Sequence, residues 1–186
     1  ALARSADEFY ANLIPEEQVT ARRILLRMVR PGDGLEVTSQ RIRRAELYRA
    51  NEAHDRIDRV LDKLIGARLV RVTSGETRDD EQIEVAHEAL VRNWPTLVGW
   101  LDDERAALSA RRRLEAKADD WVRLGRGSSG LLDREQLHEA EHWLASPEAE
   151  YLGFNPLLTE LVTASRTAIE AAEHEQEAAR QRELAQ

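Results

Sequence analysis

Residues 51–72 read NEAHDRIDRVLDKLIGARLVRV, and the apolar side chains of this stretch recur at the spacing of an amphipathic helix. The apolar positions are Ile57, Val60, Leu61, Leu64 and Ile65. Gly66 follows where a helix commonly ends, and Val70 and Val72 then alternate with arginines as in a strand. We therefore predict a helix that leads directly into a short strand.

A second strand and an earlier helix complete this part of the fold. Ile83 and Val85 alternate with polar residues, so residues 70–85 predict a β-hairpin with a polar tip. Pro15 suits the first turn of a helix whose predicted apolar face is Val19, Ile24, Leu25 and Met28. Residues 31–34, PGDG, predict a break, and residues 35–47 fit either strand or helix, with Leu35 and Val37 alternating. This order of elements predicts a winged helix, which is a helix-turn-helix with a β-hairpin wing.

The chain after the hairpin is expected to be entirely helical. Its apolar stripes contain four tryptophans, Trp94, Trp100, Trp121 and Trp143. The glycine-rich segment 125–130 predicts a loop, and the polar tail predicts a solvated linker helix. The predicted class is mainly α, with a lead-in helix over 1–14, a winged helix over 15–88, an all-helical subdomain over 89–169 and a C-terminal linker helix over 170–186.

The composition limits the kinds of protein that this chain can be. No stretch approaches the roughly 18 uncharged apolar residues of a membrane span, and no secretory signal opens the sequence. Cysteine is absent, which excludes disulfides, thiolate zinc sites and cysteine nucleophiles. We expect a cytoplasmic protein without membrane contact, and the start at Ala1 leads us to expect a piece of a longer chain.

The net charge of −8 is unevenly distributed. Residues 1–99 carry 16 Lys and Arg against 17 Asp and Glu, whereas residues 100–186 carry 11 against 18, which disfavours contact with a nucleic-acid backbone. A winged helix that binds DNA would use outward-facing cations of its second helix and wing: Arg56, Arg59, Lys63 and Arg78. Carboxylates alternate with these cations, so we favour a solvated, salt-bridged face. A DNA-binding transcriptional regulator with a helical dimerisation domain is the alternative.

Motifs of the common catalytic classes are missing from the sequence. There is no Walker A motif, no G-x-G-x-x-G fingerprint and no nucleophile elbow. His138 and His142 lie four residues apart, as two zinc ligands on a helix would, but no third ligand accompanies them. We therefore predict no catalytic residue and no metal site in this chain.

One histidine stands at the end of the predicted hairpin. His87 could be a metal ligand, a catalytic base, a nucleotide contact or an ordinary core histidine. Neighbours on a strand point to opposite faces, so Glu88 cannot be assumed to share a site with it. For the chain on its own we expect His87 to be hydrogen-bonded in the core near Trp94.

The stretch around this histidine, VAHEALVRNWPTLVGWLDDER (residues 85–105), resembles a segment downstream of the ATPase module in bacterial STAND-class NTPases. The resemblance covers roughly residues 15–175 and is strongest over 83–105. It continues in three further stretches: RRRLEAKADDW (111–121), LLDREQLHEAEHWLA (131–145) and LVTASRTAIEAAE (161–173). STAND proteins are large signal-transduction ATPases that often end in a WD-repeat propeller.

The resemblance implies a role for the histidine. In STAND proteins a winged helix follows the nucleotide-binding and helical domains, and a Met-His-Asp type motif ends its last strand. That histidine contacts the β-phosphate of ADP and helps to hold the resting state closed. Ala86, His87 and Glu88 occupy the matching positions, with Ala86 in place of Met and Glu88 in place of Asp. His87 is thus implied to contact an ADP phosphate across a domain boundary.

The resemblance also implies that this chain is a regulatory segment without catalysis of its own. It would couple the nucleotide state of an upstream P-loop ATPase domain, in the same parent chain, to a downstream repeat or effector domain. No cofactor is expected in this segment, whereas the parent protein would bind ADP or ATP.

Overall fold

The computed structural model describes residues 1–31, 37–49 and 52–186. These residues are mainly helical with two small antiparallel sheets, which confirms the predicted mainly α class. Two compact units share the chain: unit 1 is Ala1–Arg112 with Pro147–Phe154, and unit 2 is Arg113–Ser146 with Asn155–Gln186. The boundary predicted after residue 88 falls inside unit 1.

Unit 1 contains most of the secondary-structure elements. Its helices are α1 (Leu2–Ala11), α2 (Pro15–Arg27), a 3₁₀ helix (Arg44–Arg49), α3 (His54–Gly66), α4 (Glu88–Asn93), α5 (Pro95–Asp103) and α8 (Pro147–Leu152). Its strands are β1 (Val29–Pro31), β2 (Val37–Ser39), β3 (Ile42–Arg43), β4 (Val70–Thr73) and β5 (Gln82–Val85). Helix α6 (Arg105–Arg123) contributes residues to both units, and unit 2 contains α7 (Arg134–Leu144) and α9 (Leu157–Leu184).

Helix α3 forms where the apolar periodicity predicts it. Its fully buried side chains are Ile57, Val60, Leu61 and Leu64. They lie in the core of unit 1, where α3 packs against α2. Helix α2 begins at Pro15 as predicted, but the apolar face assigned to it is wrong at Val19, which is 56% exposed.

The predicted end of α3 at a glycine cap is wrong. Gly66 is the last helical residue, and the left-handed residue is Arg68, with φ 61°. The amide of Leu69 donates to Leu64 O at 3.0 Å and the amide of Arg68 donates to Ile65 O at 3.0 Å, which is a Schellman motif. An arginine therefore occupies the position that glycine adopts most easily.

The hairpin predicted from alternating valines and isoleucines is confirmed. Strand β4 pairs antiparallel with β5 in the register Val70↔Val85, and β3 pairs with the other edge of β5. The sheet order is β3-β5-β4, so the buried Ile83 of β5 lies on the central strand. A second sheet pairs β1 with β2.

The ambiguous stretch 35–47 contains both kinds of structure. It holds β2, β3 and the start of the 3₁₀ helix, so neither a single strand nor a single helix describes it. Of the break predicted at 31–34, Pro31 ends β1, while residues 32–34 and Leu35 lie outside the described residues. Strand β2 pairs with β1, which precedes it closely in sequence, whereas β3 pairs with the distant β5 in the register Ile42↔Ile83.

Unit 2 is held together by helices α7 and α9 and the later part of α6. Asp133 and Gln136 form a capping box at the start of α7, with Asp133 Oδ1 accepting from the Gln136 amide at 2.8 Å. The Leu132 amide donates to the buried Ser165 hydroxyl of α9 at 3.0 Å. None of the helices in the described part of the chain is long and apolar enough to cross a membrane.

Candidate functional site

His87 lies at the junction where β5 passes into α4. The Ala86 amide donates to Leu69 O at 2.9 Å, so the ladder extends one residue beyond β5. His87 then adopts extended backbone angles (φ −137°, ψ 122°) as the N-cap of α4, and its carbonyl accepts from the Leu90 amide at 2.9 Å. Its imidazole is exposed, and within the described ranges no hydrogen bond or ion pair engages this side chain.

The expectation of a core histidine beside Trp94 is therefore wrong. Trp94 is only 1% exposed, but its indole N–H donates to Asp7 Oδ1 of α1 at 2.7 Å. The Thr96 hydroxyl donates to the same oxygen at 2.8 Å. An acid from the lead-in helix thus serves as the polar partner of Trp94, and the histidine stays at the surface.

Glu88, the acid that follows the histidine, is bound to a neighbouring strand. Its Oε2 accepts from the Ser39 hydroxyl at 2.7 Å and its Oε1 accepts from the Ser39 amide at 3.3 Å. These bonds fasten the first turn of α4 to β2. Glu88 therefore positions the backbone next to His87.

A second carboxylate lies on β5 just before the histidine. Glu84 Oε1 accepts from Arg71 Nη2 at 2.7 Å and from Arg41 Nη2 at 3.3 Å. The hydrogen bond from Arg71 lowers the pKa of Glu84 below its ordinary value, and Arg41 adds to the effect. Strand β5, which leads to His87, is thus tied through Glu84 to both β4 and residue 41, which precedes β3.

Two cations of α3 that we predicted to face outward form ion pairs with a carboxylate of α2. Arg59 Nε donates to Glu17 Oε2 at 2.9 Å, and Lys63 Nζ donates to Glu17 Oε1 at 3.0 Å. Glu17 of α2 is itself buried. The hydrogen bonds from Arg59 and Lys63 lower the pKa of Glu17, so this carboxylate stays ionised and fastens α3 to α2.

A third cation of α3 is engaged in the same way. Arg56 Nη2 lies 3.1 Å from Glu52 Oε1, and its Nη1 lies 4.0 Å from Glu16 Oε2 of α2. Arg56, Arg59 and Lys63 are thus at least partly exposed and all three are paired with carboxylates, as expected of a solvated, salt-bridged face. Arg78 is exposed in the loop between β4 and β5. In the described residues, α3 and the hairpin present no continuous basic face.

A buried arginine that the sequence did not reveal connects three parts of unit 1. Arg44 is 3% exposed; its Nε donates to the Tyr48 hydroxyl at 3.0 Å, and it donates to Asp58 and Glu81 at 3.3 Å each. Burial alone would raise the pKa of Asp58, but hydrogen bonds from Tyr48 and Arg44 outweigh it, and the pKa lies below its ordinary value. No periodicity marks such a residue, because its partners Asp58 and Glu81 lie 14 and 37 positions away in sequence.

The histidine pair considered as zinc ligands lies at the surface. His138 and His142 are both exposed on α7. Among the residues that the structure describes, no group of three or more His, Asp or Glu side chains is placed to hold a metal ion. The geometry therefore adds no further ligand to this pair.

Comparison with protein families matches residues 1–129 to the family described as Novel STAND NTPase 1. Comparisons with curated proteins and with solved structures found no match. The family match covers more than half of the chain and includes both α3 and the junction at His87. It gives no support to the DNA-binding alternative. The chain therefore belongs to the Novel STAND NTPase 1 family.

Proposed function

We propose that this chain is the regulatory, non-catalytic segment of a bacterial, cytoplasmic STAND-class NTPase. It couples the nucleotide state of a P-loop domain in the same protein to a downstream repeat or effector domain. ADP or ATP binds to the P-loop domain, and this segment responds to which nucleotide is present. The observation that carries the proposal is the family match over 1–129, which spans the exposed histidine at the end of β5.

We further propose that residues 15–88 form a winged helix. The order α2, β1, β2, β3, 3₁₀ helix, α3, β4, β5 supports this proposal, since a winged helix needs helices that are followed by a β-hairpin. The ion pairs between α3 and α2 favour a protein-contact role over a DNA-binding one. A helix whose cations are already neutralised would release few counterions from DNA.

His87 is the residue that we propose contacts the nucleotide. An imidazole N–H donates to a phosphate oxygen, and the negative charge of the phosphate strengthens that bond. Two anchored neighbours support this role, because Ala86 bonds to Leu69 and Glu88 bonds to Ser39. A phosphate on another domain that binds His87 favours one domain arrangement, and loss of the nucleotide removes that preference.

The test is His87→Ala in the full-length protein. We expect the variant to release a fluorescent ADP analogue about tenfold faster or more, since one charge-assisted hydrogen bond contributes roughly 1.5–3 kcal/mol. Basal activity should rise in parallel. The control is His138→Ala, which removes an exposed histidine from α7. Unchanged ADP release and unchanged basal activity in His87→Ala would contradict the sensor role and leave the family membership intact.

A further inference from the structure

Unit 1 contains a half-open groove of about 300 Å³ between β2, α4 and α5. Its apolar lining consists of Val37, Val91, Val98 and Leu101. Val91 and Leu101 are buried, while Val37 and Val98 are partly exposed to the groove. A floor made of aliphatic side chains stabilises an apolar guest through the area that it removes from water.

The rim of this groove is positively charged, although the chain as a whole carries a charge of −8. Arg92 of α4 is exposed, and in the described part of the chain it makes no hydrogen bond or ion pair. Arg105, the first residue of α6, donates to Asp102 Oδ1 at 2.8 Å. The groove lining thus holds two guanidinium groups and one carboxylate, and an incoming carboxylate can pair with Arg92.

The shape of the groove favours a peptide segment over a small molecule. Small-molecule sites enclose most of their ligand, roughly 70–90% of its surface, and this groove is open along one side. Its two arginines also lie on different helices, α4 and α6. An occupant that pairs with both arginines through separate groups carries two carboxylates beside its apolar anchor.

We propose that this groove docks a segment of a partner protein in which an aliphatic side chain is flanked by carboxylates. The aliphatic side chain covers the partly exposed Val37 and Val98, above a floor formed by Val91 and Leu101. One carboxylate accepts from Arg92, and a second competes with Asp102 for Arg105. This docking does not involve His87 and stands independently of the nucleotide contact.

The experiment measures fluorescence anisotropy of two labelled peptides titrated with the 186-residue chain. One peptide is acetyl-Glu-Leu-Leu-Glu-amide and the other is acetyl-Lys-Leu-Leu-Lys-amide. We expect the acidic peptide to bind and to shift the methyl NMR signals of Val91, Val98 and Leu101. Arg92→Glu should weaken its binding about tenfold or more, because it replaces a charge-assisted bond with repulsion. The same variant should bind the basic peptide more tightly than the wild type does.

Arg78→Glu is the matched control, since Arg78 is another exposed arginine of unit 1 outside the groove. It should leave both titrations unchanged. The proposal is overturned if the acidic peptide does not bind, if both peptides bind equally, or if Arg92→Glu has no effect. It is also overturned if octanoate shifts the groove methyl signals and the acidic peptide does not, because the occupant would then be a small carboxylate.

Discussion

The guanidinium of Arg111 donates from Nη1 to the carbonyl oxygen of Leu152 at 3.3 Å. From Nη2 it donates to Val29 O at 3.1 Å and to Leu26 O at 3.5 Å. Leu152 is the last residue of α8, and Leu26 lies in the last turn of α2. Because the final carbonyls of a helix lack partners within it, one buried side chain satisfies the ends of two helices.

Substituting Arg111→Met should lower the free energy of unfolding by about 2–4 kcal/mol, since several buried carbonyls lose their donor. Urea denaturation followed by circular dichroism measures the change. The neighbouring Arg113 is the matched control because its ion pair with Glu139 is largely exposed. Arg113→Met should cost less than about 1 kcal/mol. Equal losses from the two substitutions would contradict a special role for Arg111.

Two helix ends with the same cap geometry predict substitutions of opposite effect. Arg68 has φ 61° after α3, whereas Gly125 has φ 97° after α6. Arg68→Gly should raise the free energy of unfolding by about 1 kcal/mol, because a left-handed backbone is costly for residues with a Cβ. Gly125→Ala should lower the free energy of unfolding by about 1 kcal/mol. An added Cβ at Gly125 meets no atom within 4 Å, so this loss measures backbone strain alone.

Thermal unfolding of both variants checks this pair of expectations. A melting temperature that rises for Arg68→Gly and falls for Gly125→Ala supports the cap assignment. If Arg68→Gly lowered the melting temperature, contacts of the arginine side chain would stabilise the fold by more than its backbone strain destabilises it.

The buried carboxylate of Glu17 predicts a dependence of stability on pH. Hydrogen bonds from Arg59 and Lys63 place its pKa below the ordinary carboxyl value. The stability that it contributes is therefore fully present above the ordinary value, about 4.3, and is lost as the pH falls through the lowered folded value. Glu17→Gln should cost about 1.5–3 kcal/mol at pH 7, and the difference from the wild type should shrink below pH 4.

Urea unfolding at pH 7, 5 and 3 measures that difference. Glu16→Gln is the control on the adjacent residue, because the Glu16 side chain is 74% exposed and lies 4.0 Å from Arg56. It should change stability little at any pH. If Glu17→Gln differed from the wild type by the same amount at all three pH values, ionisation of Glu17 would not be the source of the stability.

Local sequence patterns predicted the helices and strands that residues close together in the chain determine. The spacing of Ile57, Val60 and Leu64 selects a helix because the buried side chains of a helix recur every three or four positions. The alternation of Ile83 and Val85 selects a strand because successive side chains of a strand point to opposite faces. Pro15 begins a helix because its missing N–H needs no partner in the first turn. These predictions needed no knowledge of distant contacts.

The ion-pair partners of charged side chains could not be predicted in this way. Arg59 and Lys63 occupy positions on α3 that the helical pattern assigns to solvent, yet their carboxylate partner on α2 lies more than forty residues earlier. The left-handed cap residue of α3 is Arg68 and not Gly66. Backbone preference alone favours glycine at such a position, so the path of the chain after α3 decides where the cap lies.

Local sequence patterns are enough to predict the mainly helical class, the amphipathic α3 and the hairpin, since each follows from side-chain spacing within a few residues. The tertiary structure alone decided that His87 is exposed, because Asp7 on α1 takes the indole N–H of Trp94 that we expected beside the histidine. The tertiary structure also places residues 147–154 in unit 1, where the Arg111 guanidinium donates to the carbonyl oxygen of Leu152. Partners separated by 41 to 87 positions leave no periodic signal, and only the folded chain brings them together.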